Sequence, residues 1–281
     1  MNTTAAKPSS RDAFPAPLAG RLVIALLEPL FPGALAVHAE RLQCADAVPA
    51  GALRVADLAH SPSLLADVLR LHARARGAAG ARDLRPVASA WSLDYLSALL
   101  PPVVAAASVL QHVFPVSAEH IWVRLDDKGA PSSFHVLHPG DALRGADTAQ
   151  RYAPLLWQHL QPLFFALCSL TRLAPKILWG NTARHLEPIF DMALAATGGA
   201  AHIAHDRDRL LHHPAWPDEA RPVNPLHARC REVRPVDAGQ GRPVKLHRQC
   251  CLYYLLPCED YCGACPLAPQ HRKSAGEILQ P

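Results

Sequence analysis

Ile121-Trp-Val-Arg-Leu-Asp-Asp-Lys-Gly-Ala-Pro-Ser-Ser-Phe-His-Val136 is where the chain changes its period. Ile121, Val123 and Leu125 alternate with Trp122 and Arg124, and Phe134, Val136 and His138 alternate after the turn signal Asp126-Asp127-Lys128-Gly129. A period of two with one apolar side is the pattern of a half-buried strand, so the stretch predicts a β-hairpin. Most of the remaining sequence has helical spacing. The expected fold class is therefore α+β: predominantly helical, with two small β-hairpins and a C-terminal cysteine-rich segment.

Working outward, the N-terminal side reads as helices. Residues 1–17 are polar and rich in Ser, Thr, Ala and Pro, which predicts a disordered start. Leu18–Phe31 then predicts a helix. Ser61 or Ser63 can cap a further one whose apolar side is Leu64, Leu65, Val68, Leu69 and Leu71, with Gly77 past its end. Two buried helices are expected on either side of Pro101-Pro102, because proline removes an interior backbone donor. After the hairpin come two long helices, about Thr148–Leu170 and Pro175–Thr197, the second stopped by Gly198-Gly199. His202–His213 reads as a short helix or an irregular polar stretch. A second hairpin is expected through Arg229–Val236 and Pro243–Gln249, with Asp237–Gly241 as its turn. Organisation follows as residues 18–226 forming a mainly helical domain and residues 227–281 a C-terminal segment.

The chain has 281 residues, half of them apolar, which is enough to bury a core without disulfide staples. Residues 221–281 carry nine basic and five acidic groups, an excess that equals the net charge of the whole chain. Such a tail suits an anionic cofactor or partner. The excess is too small, and aromatic residues are too scarce outside the cysteine region, for nucleic acid to be the expected partner. No secretion signal is evident, and a cytoplasmic location is expected. Tyr95–Ala118 lacks formal charge, but its prolines and polar residues read as buried core, leaving at most peripheral membrane association.

Five of the eight cysteines fall between residues 250 and 265. Cys44 and Cys168 read as small buried apolar residues. The cluster has the spacing Cys250-Cys251-x10-Cys262-x2-Cys265. Neighbouring residues of an extended chain point to opposite sides, so a vicinal pair reaches one small ion only with local strain. Structural zinc prefers ligands two to four residues apart within each pair. The spacing therefore ranks a binuclear [2Fe–2S] cluster above zinc, with dithiol redox chemistry third.

The stretch Cys250-Cys251-Leu-Tyr-Tyr-Leu-Leu-Pro-Cys258-Glu-Asp-Tyr-Cys262-Gly-Ala-Cys265-Pro266-Leu267 resembles the C-terminal signature of FhuF-type siderophore-iron reductases. That family has Cys-Cys-x10-Cys-x2-Cys with a nearby aromatic residue and Pro-Leu after the last cysteine. Leu178-Trp179-Gly180-Asn181-Thr182-Ala183 resembles the family's Trp-x-Asn helix segment, and Asn224-Pro225-Leu226 is a weaker likeness. The resemblance implies a [2Fe–2S] cluster on Cys250, Cys251, Cys262 and Cys265. It also implies reduction of ferric iron held by a siderophore, of hydroxamate type. Cys258 departs from the pattern and is expected not to be a ligand. Lys245 and Arg248 match basic positions of the family's pre-cysteine strand.

Around that centre, several residues have two readings. Arg229, Arg231, Arg234, Lys245 and Arg248 form a solvated face, or compensate cluster charge and attract a partner. Tyr253, Tyr254 and Tyr261 either pack or contact the siderophore, and Trp179 and Asn181 either fill the core or line a cleft. His202, His205, His212 and His213 read as a solvated stretch, and His135 and His138 as surface positions. No nucleophile elbow, phosphate loop or dinucleotide fingerprint occurs. A reductase of this kind then needs an external one-electron donor, such as a ferredoxin or a flavoprotein. A zinc-binding adaptor and an iron–sulfur sensor without turnover are the alternatives.

Overall fold

A computed structural model describes residues 24–218, 220–227, 232–233 and 244–271. The expected disordered start, the turn of the second hairpin, and Arg229, Cys230, Arg231 and Arg234 lie outside the described residues.

In chain order the elements begin with the short helix α1 (Ala36–Ala39), strands β1 (Leu42–Cys44) and β2 (Leu53–Arg54), and helices α2 (Val55–His60) and α3 (Pro62–Ala75). Helix α4 (Arg85–Val109) leads to strands β3 (His112–Val113), β4 (Ile121–Leu125), β5 (Pro131–Val136) and β6 (Asp141–Ala142). Helix α5 (Thr148–Leu155), a π-helical turn (Leu156–Leu160) and α6 (Gln161–Thr171) form one run, followed by α7 (Pro175–Ala196) and α8 (Ala201–Leu211). Strands β7 (Glu232–Val233) and β8 (Val244–Lys245) precede the cysteine loop.

The predicted hairpin is β4–β5, antiparallel, with Val123 opposite Phe134 and Trp122 opposite His135. Its turn is closed by the Asp126 carboxylate, which accepts from the backbone of Lys128 at 2.9 Å and of Ala130 at 2.8 Å. The hairpin is the centre of a four-stranded sheet in the order β1-β5-β4-β2, with β1 parallel to β5. His135 is therefore not a surface position. It lies between Gln43 and Trp122 on the flanking strands, 3% exposed, and its ring bonds the Ser133 hydroxyl at 3.0 Å.

Helix α4 corrects the expectation of two helices. It runs unbroken through Pro101 and Pro102 for 25 residues, with both prolines buried. Interior proline costs about 3 kcal/mol in an isolated helix. Here the helix is apolar on nearly every side and enclosed by its neighbours, so packing outweighs that cost. This enclosure also accounts for a helix long and apolar enough to cross a membrane that has 78% of its apolar window buried inside the protein. The Trp91 indole donates to Gly129 O at 3.0 Å, fixing α4 to the hairpin turn. Tyr95 meets the buried His159 at 2.6 Å.

The expected Thr148–Leu170 helix is present but widened at its centre. Pro162 cannot donate to the carbonyl of Gln158, and the backbone N–H of Ala118 takes that role at 3.0 Å. The expected helix over Leu18–Phe31 differs. Its described part is a turn and a 3-10 segment, Glu28–Leu30, with Pro29 inside it and Pro32 just past it, both lacking a backbone donor. Helix α3 starts at the Ser61 cap as predicted, its hydroxyl accepting from Leu64 N at 3.3 Å. Helix α7 stops where Gly198 and Gly199 take positive φ. His202–Leu211 resolves as helix, within α8. The described parts of the second hairpin pair as predicted, Glu232 with Lys245 and Val233 with Val244.

Candidate functional site

One face of α7 receives the chain that enters the cysteine loop. Gly180, Arg184 and Glu187 lie at i, i+4 and i+7, a single stripe of the helix. A Cβ on Gly180 would fall 2.8 Å from Gln249 Cβ, closer than such atoms approach, so the bare Cα lets residue 249 lie against the helix. One turn later Arg184 donates to Gln249 O at 3.3 Å. Glu187 then takes two cations from the incoming strand: Lys245 Nζ at 3.1 Å and Arg248 Nη2 at 3.2 Å.

Arg248 is tied down further. Its side chain is 3% exposed, and it donates to Leu211 O and Leu226 O, each at 2.9 Å. Leu226 is placed by Asn224, whose Oδ1 accepts from Leu226 N at 3.0 Å. The Asn224 amide donates to the end of α8, to Leu210 O at 3.0 Å and His213 O at 2.8 Å. Asn224 is thus a helix cap, and the cap, Arg248 and Glu187 form one framework two residues from Cys250.

Past the cysteine pair, the loop anchors at a second place. Leu256 packs with Ala73, Ala78, Val87 and Ala90 at the α3–α4 corner. Arg76 donates to the Tyr253 hydroxyl at 2.5 Å, lies over the Tyr253 ring at 5.6 Å, and pairs with Asp94 at 2.8 Å. Tyr254 stacks on Tyr261 with ring centroids 4.2 Å apart. The loop returns through Tyr261 to Cys262, whose carbonyl accepts from Cys265 N at 2.9 Å in a tight turn. That turn is held from outside by His247 N donating to Ala264 O at 2.9 Å and by the His271 ring against Gly263 O at 2.8 Å.

The four sulfurs arrive as two pairs. Cys250 and Cys265, both buried, have their sulfurs 3.5 Å apart, and Leu252 N donates to the Cys250 sulfur at 3.4 Å. Burial pushes the Cys250 thiol up to about 11. The neighbouring Cys262 and Arg184 draw the Cys251 thiol down, and Cys251 together with burial drives the Cys262 thiol up. Among the described residues, no three His, Cys, Asp or Glu side chains surround a single metal-ion position. Four sulfurs in two adjacent pairs form a donor set able to hold a binuclear iron–sulfur group. Cys258 is exposed, at a turn position with φ +61.

The matched region of known proteins spans most of the scaffold that positions this site. Residues 89–240, from within α4 to beyond Asn224 but short of Arg248, match the family described as ferric iron reductase FhuF-like transporter. The chain belongs to that family. The FhuF-like match ends ten residues before Cys250, so it covers Gly180, Arg184 and Glu187 but not the cysteines. The chain is also similar to a ferric siderophore reductase of Escherichia coli strain K12. It is 27% identical over 187 residues, 66% of this chain and 67% of that protein.

Against this geometry, the residues singled out from sequence separate. Cys250, Cys251, Cys262 and Cys265 come together. Lys245 and Arg248 face Glu187, with Arg248 turned inward. Trp179 is half-buried in an aromatic group with Phe164 at 5.0 Å and Trp157 at 6.1 Å. Asn181 is fully enclosed, its amide donating to Ser89 Oγ at 3.1 Å and Ser92 Oγ at 3.0 Å, so the core reading holds for it. Gly180, Arg184 and Glu187 were not legible as site residues. Their signal was available only as a stripe on α7 one face wide, beginning at the glycine of Trp179-Gly180-Asn181.

Proposed function

We propose that this protein is a cytoplasmic ferric-siderophore reductase. It holds a [2Fe–2S] cluster on Cys250, Cys251, Cys262 and Cys265 and delivers single electrons to siderophore-bound Fe(III), which leaves as Fe(II). The observation that carries the reading is the convergence of four sulfurs as two pairs on the scaffold of a FhuF-like chain. The E. coli relative named a ferric siderophore reductase supports the substrate class. When bound, the cluster supplies one-electron transfer without covalent chemistry.

The chain's own residues do the rest. Cys250, Cys251 and Cys265 are buried and keep water from one side of the site, whereas Cys262 is half-exposed. Gly263 beside it is exposed, and nothing lies within 4 Å of the space a Cβ would fill. The Cys262–Cys265 turn is therefore the edge at which a ferric hydroxamate complex can approach. Tyr254 and Tyr261 shield the flank of the same turn. The sequence carries no nucleotide fingerprint, so the electron comes from an external ferredoxin or flavoprotein. A structural zinc would draw four ligands onto one ion, and the paired sulfurs favour the binuclear group over it.

The test is anaerobic purification followed by iron and acid-labile sulfide analysis, a visible spectrum, and electron paramagnetic resonance after dithionite reduction. The expected result is a binuclear signal that a ferric hydroxamate reoxidises, with Fe(II) trapped by a ferrous chelator. A colourless protein with stoichiometric zinc overturns the reading. A reducible cluster that no ferric chelate reoxidises leaves an electron-storing or sensing protein instead.

A further inference from the structure

We propose that the four cysteines act as two chelating pairs, Cys250 with Cys265 and Cys251 with Cys262, and that Arg184 is the positioning residue that holds charge at the second pair. The inference rests on the cluster reading above and goes beyond it, by assigning which thiolates share an iron and which cation they face.

The pairing follows from how the chain enters. Adjacent residues of an extended chain point to opposite sides, so each vicinal cysteine finds its partner elsewhere. The Cys262–Cys265 turn supplies one sulfur to each. Cys265 lies 3.5 Å from Cys250, which leaves Cys262 as the sulfur of the turn for Cys251. A pairing by sequence proximity, Cys250 with Cys251 and Cys262 with Cys265, is not the one the backbone sets up.

The two pairs have different surroundings. The Cys250 sulfur receives a neutral backbone donor, Leu252 N. The second pair faces a guanidinium that is anchored on Gln249 O. Arg184 Nε is buried with no partner of its own, so this cation is not already neutralised at that nitrogen. The other charges on the same face of the site are accounted for: Glu187 is shared by Lys245 and Arg248, and the neutral imidazoles of His185 and His247 flank Arg184. Uptake of one electron adds a negative charge to the thiolate site, and the nearest fixed cation stabilises that state most. Arg184 thus raises the potential of the site.

Two measurements test the proposal independently of turnover. First, Arg184→Lys and Arg184→Gln are compared with the wild-type holoprotein by iron and sulfide content and by redox titration. The expected result is a lower midpoint potential in Arg184→Gln, with Arg184→Lys closer to wild type. An unchanged potential in Arg184→Gln that retains its iron overturns the role of Arg184. Should Arg184→Gln lose iron, the comparison is made on Arg184→Lys, whose shorter, differently placed cation still shifts the potential if the contact matters.

Second, the full-length chain with Cys258→Ser, stripped of metal, is oxidised with the azo compound diamide. Each thiol pair gives up two electrons and two protons to the azo bond as its disulfide forms. In Cys250→Ser the thiol left open to alkylation at the turn is Cys265, and in Cys251→Ser it is Cys262. The reverse assignment, or a dominant Cys262–Cys265 disulfide, overturns the pairing. A zinc-bearing wild type would instead overturn the cofactor reading, and the two failures are told apart by colour and metal content.

Discussion

Gly180 on α7 and Gln249, the residue before the cysteine pair, are in contact so close that a Cβ at position 180 would lie 2.8 Å from Gln249 Cβ. Alanine there gains up to about 1 kcal/mol of helix propensity. It also pushes the entry strand outward, an overpacking cost of typically 1–3 kcal/mol. Gly180→Ala is therefore expected to leave the helical body folded while the site loosens. Iron retained after gel filtration should fall, with far-ultraviolet circular dichroism unchanged. Full retention in Gly180→Ala and Gly180→Val would show that the contact does not position the cysteines.

This contact also marks the limit of what the sequence could convey. The hairpin Ile121–Val136 was legible because its period of two is local, and α3 was legible because Ser61 and Gly77 punctuate it. The four sulfur positions were legible because their spacing is itself chemical information. Strand β1 was not: three residues are too few to show a period, and it becomes a strand only by pairing with β5 from 92 positions away. Pro101-Pro102 misled because the local penalty is real and the compensation is tertiary. Arg184 looks like any polar residue on an amphipathic helix, and only the docking of residues 245–251 gives it meaning.

Arg248 joins α7, α8 and the Asn224 turn through one nearly enclosed guanidinium. Arg248→Ala leaves Glu187 without its inner partner and two carbonyls without a donor. Removing one member of a buried ion pair costs about 3–5 kcal/mol; Glu187 is partly exposed, so the lower end applies. The expected outcome is a fall in the urea midpoint and faster proteolysis near residue 245. Arg248→Lys should recover only part of the loss, because an ammonium cannot span acceptors on α7, α8 and the Asn224 turn at once.

Cys258 is exposed at a left-handed turn position. Cys258→Ser should keep the visible spectrum, iron content and midpoint potential of the wild type, and change stability by no more than about 0.5 kcal/mol. Loss of the spectrum in this variant alone would make Cys258 a ligand and displace one of the four.

Acid should destabilise the protein through its buried imidazoles. His159 is fully buried, its Nδ1–H donates to Val116 O, its Nε2 accepts from the Tyr95 hydroxyl, and burial brings its pKa from 6.5 down to about 4. As pH falls below 6.5 the unfolded chain takes up this proton first, whereas the folded protein resists it until about pH 4. The stability held by neutral His159 is therefore complete above pH 6.5 and drains away between 6.5 and 4. At about 1.4 kcal/mol per pH unit, the loss is on the order of 3 kcal/mol. His185 and His247, also brought to about 4 by burial and Arg184, push in the same direction. Urea melts of the metal-free protein at pH 7.5, 6 and 5 should show a falling midpoint. His159→Gln, which cannot titrate, should flatten that dependence by up to one proton while lowering stability at pH 7.5. An identical pH slope in the variant would place the acid sensitivity elsewhere, with His185 and His247 the next to substitute.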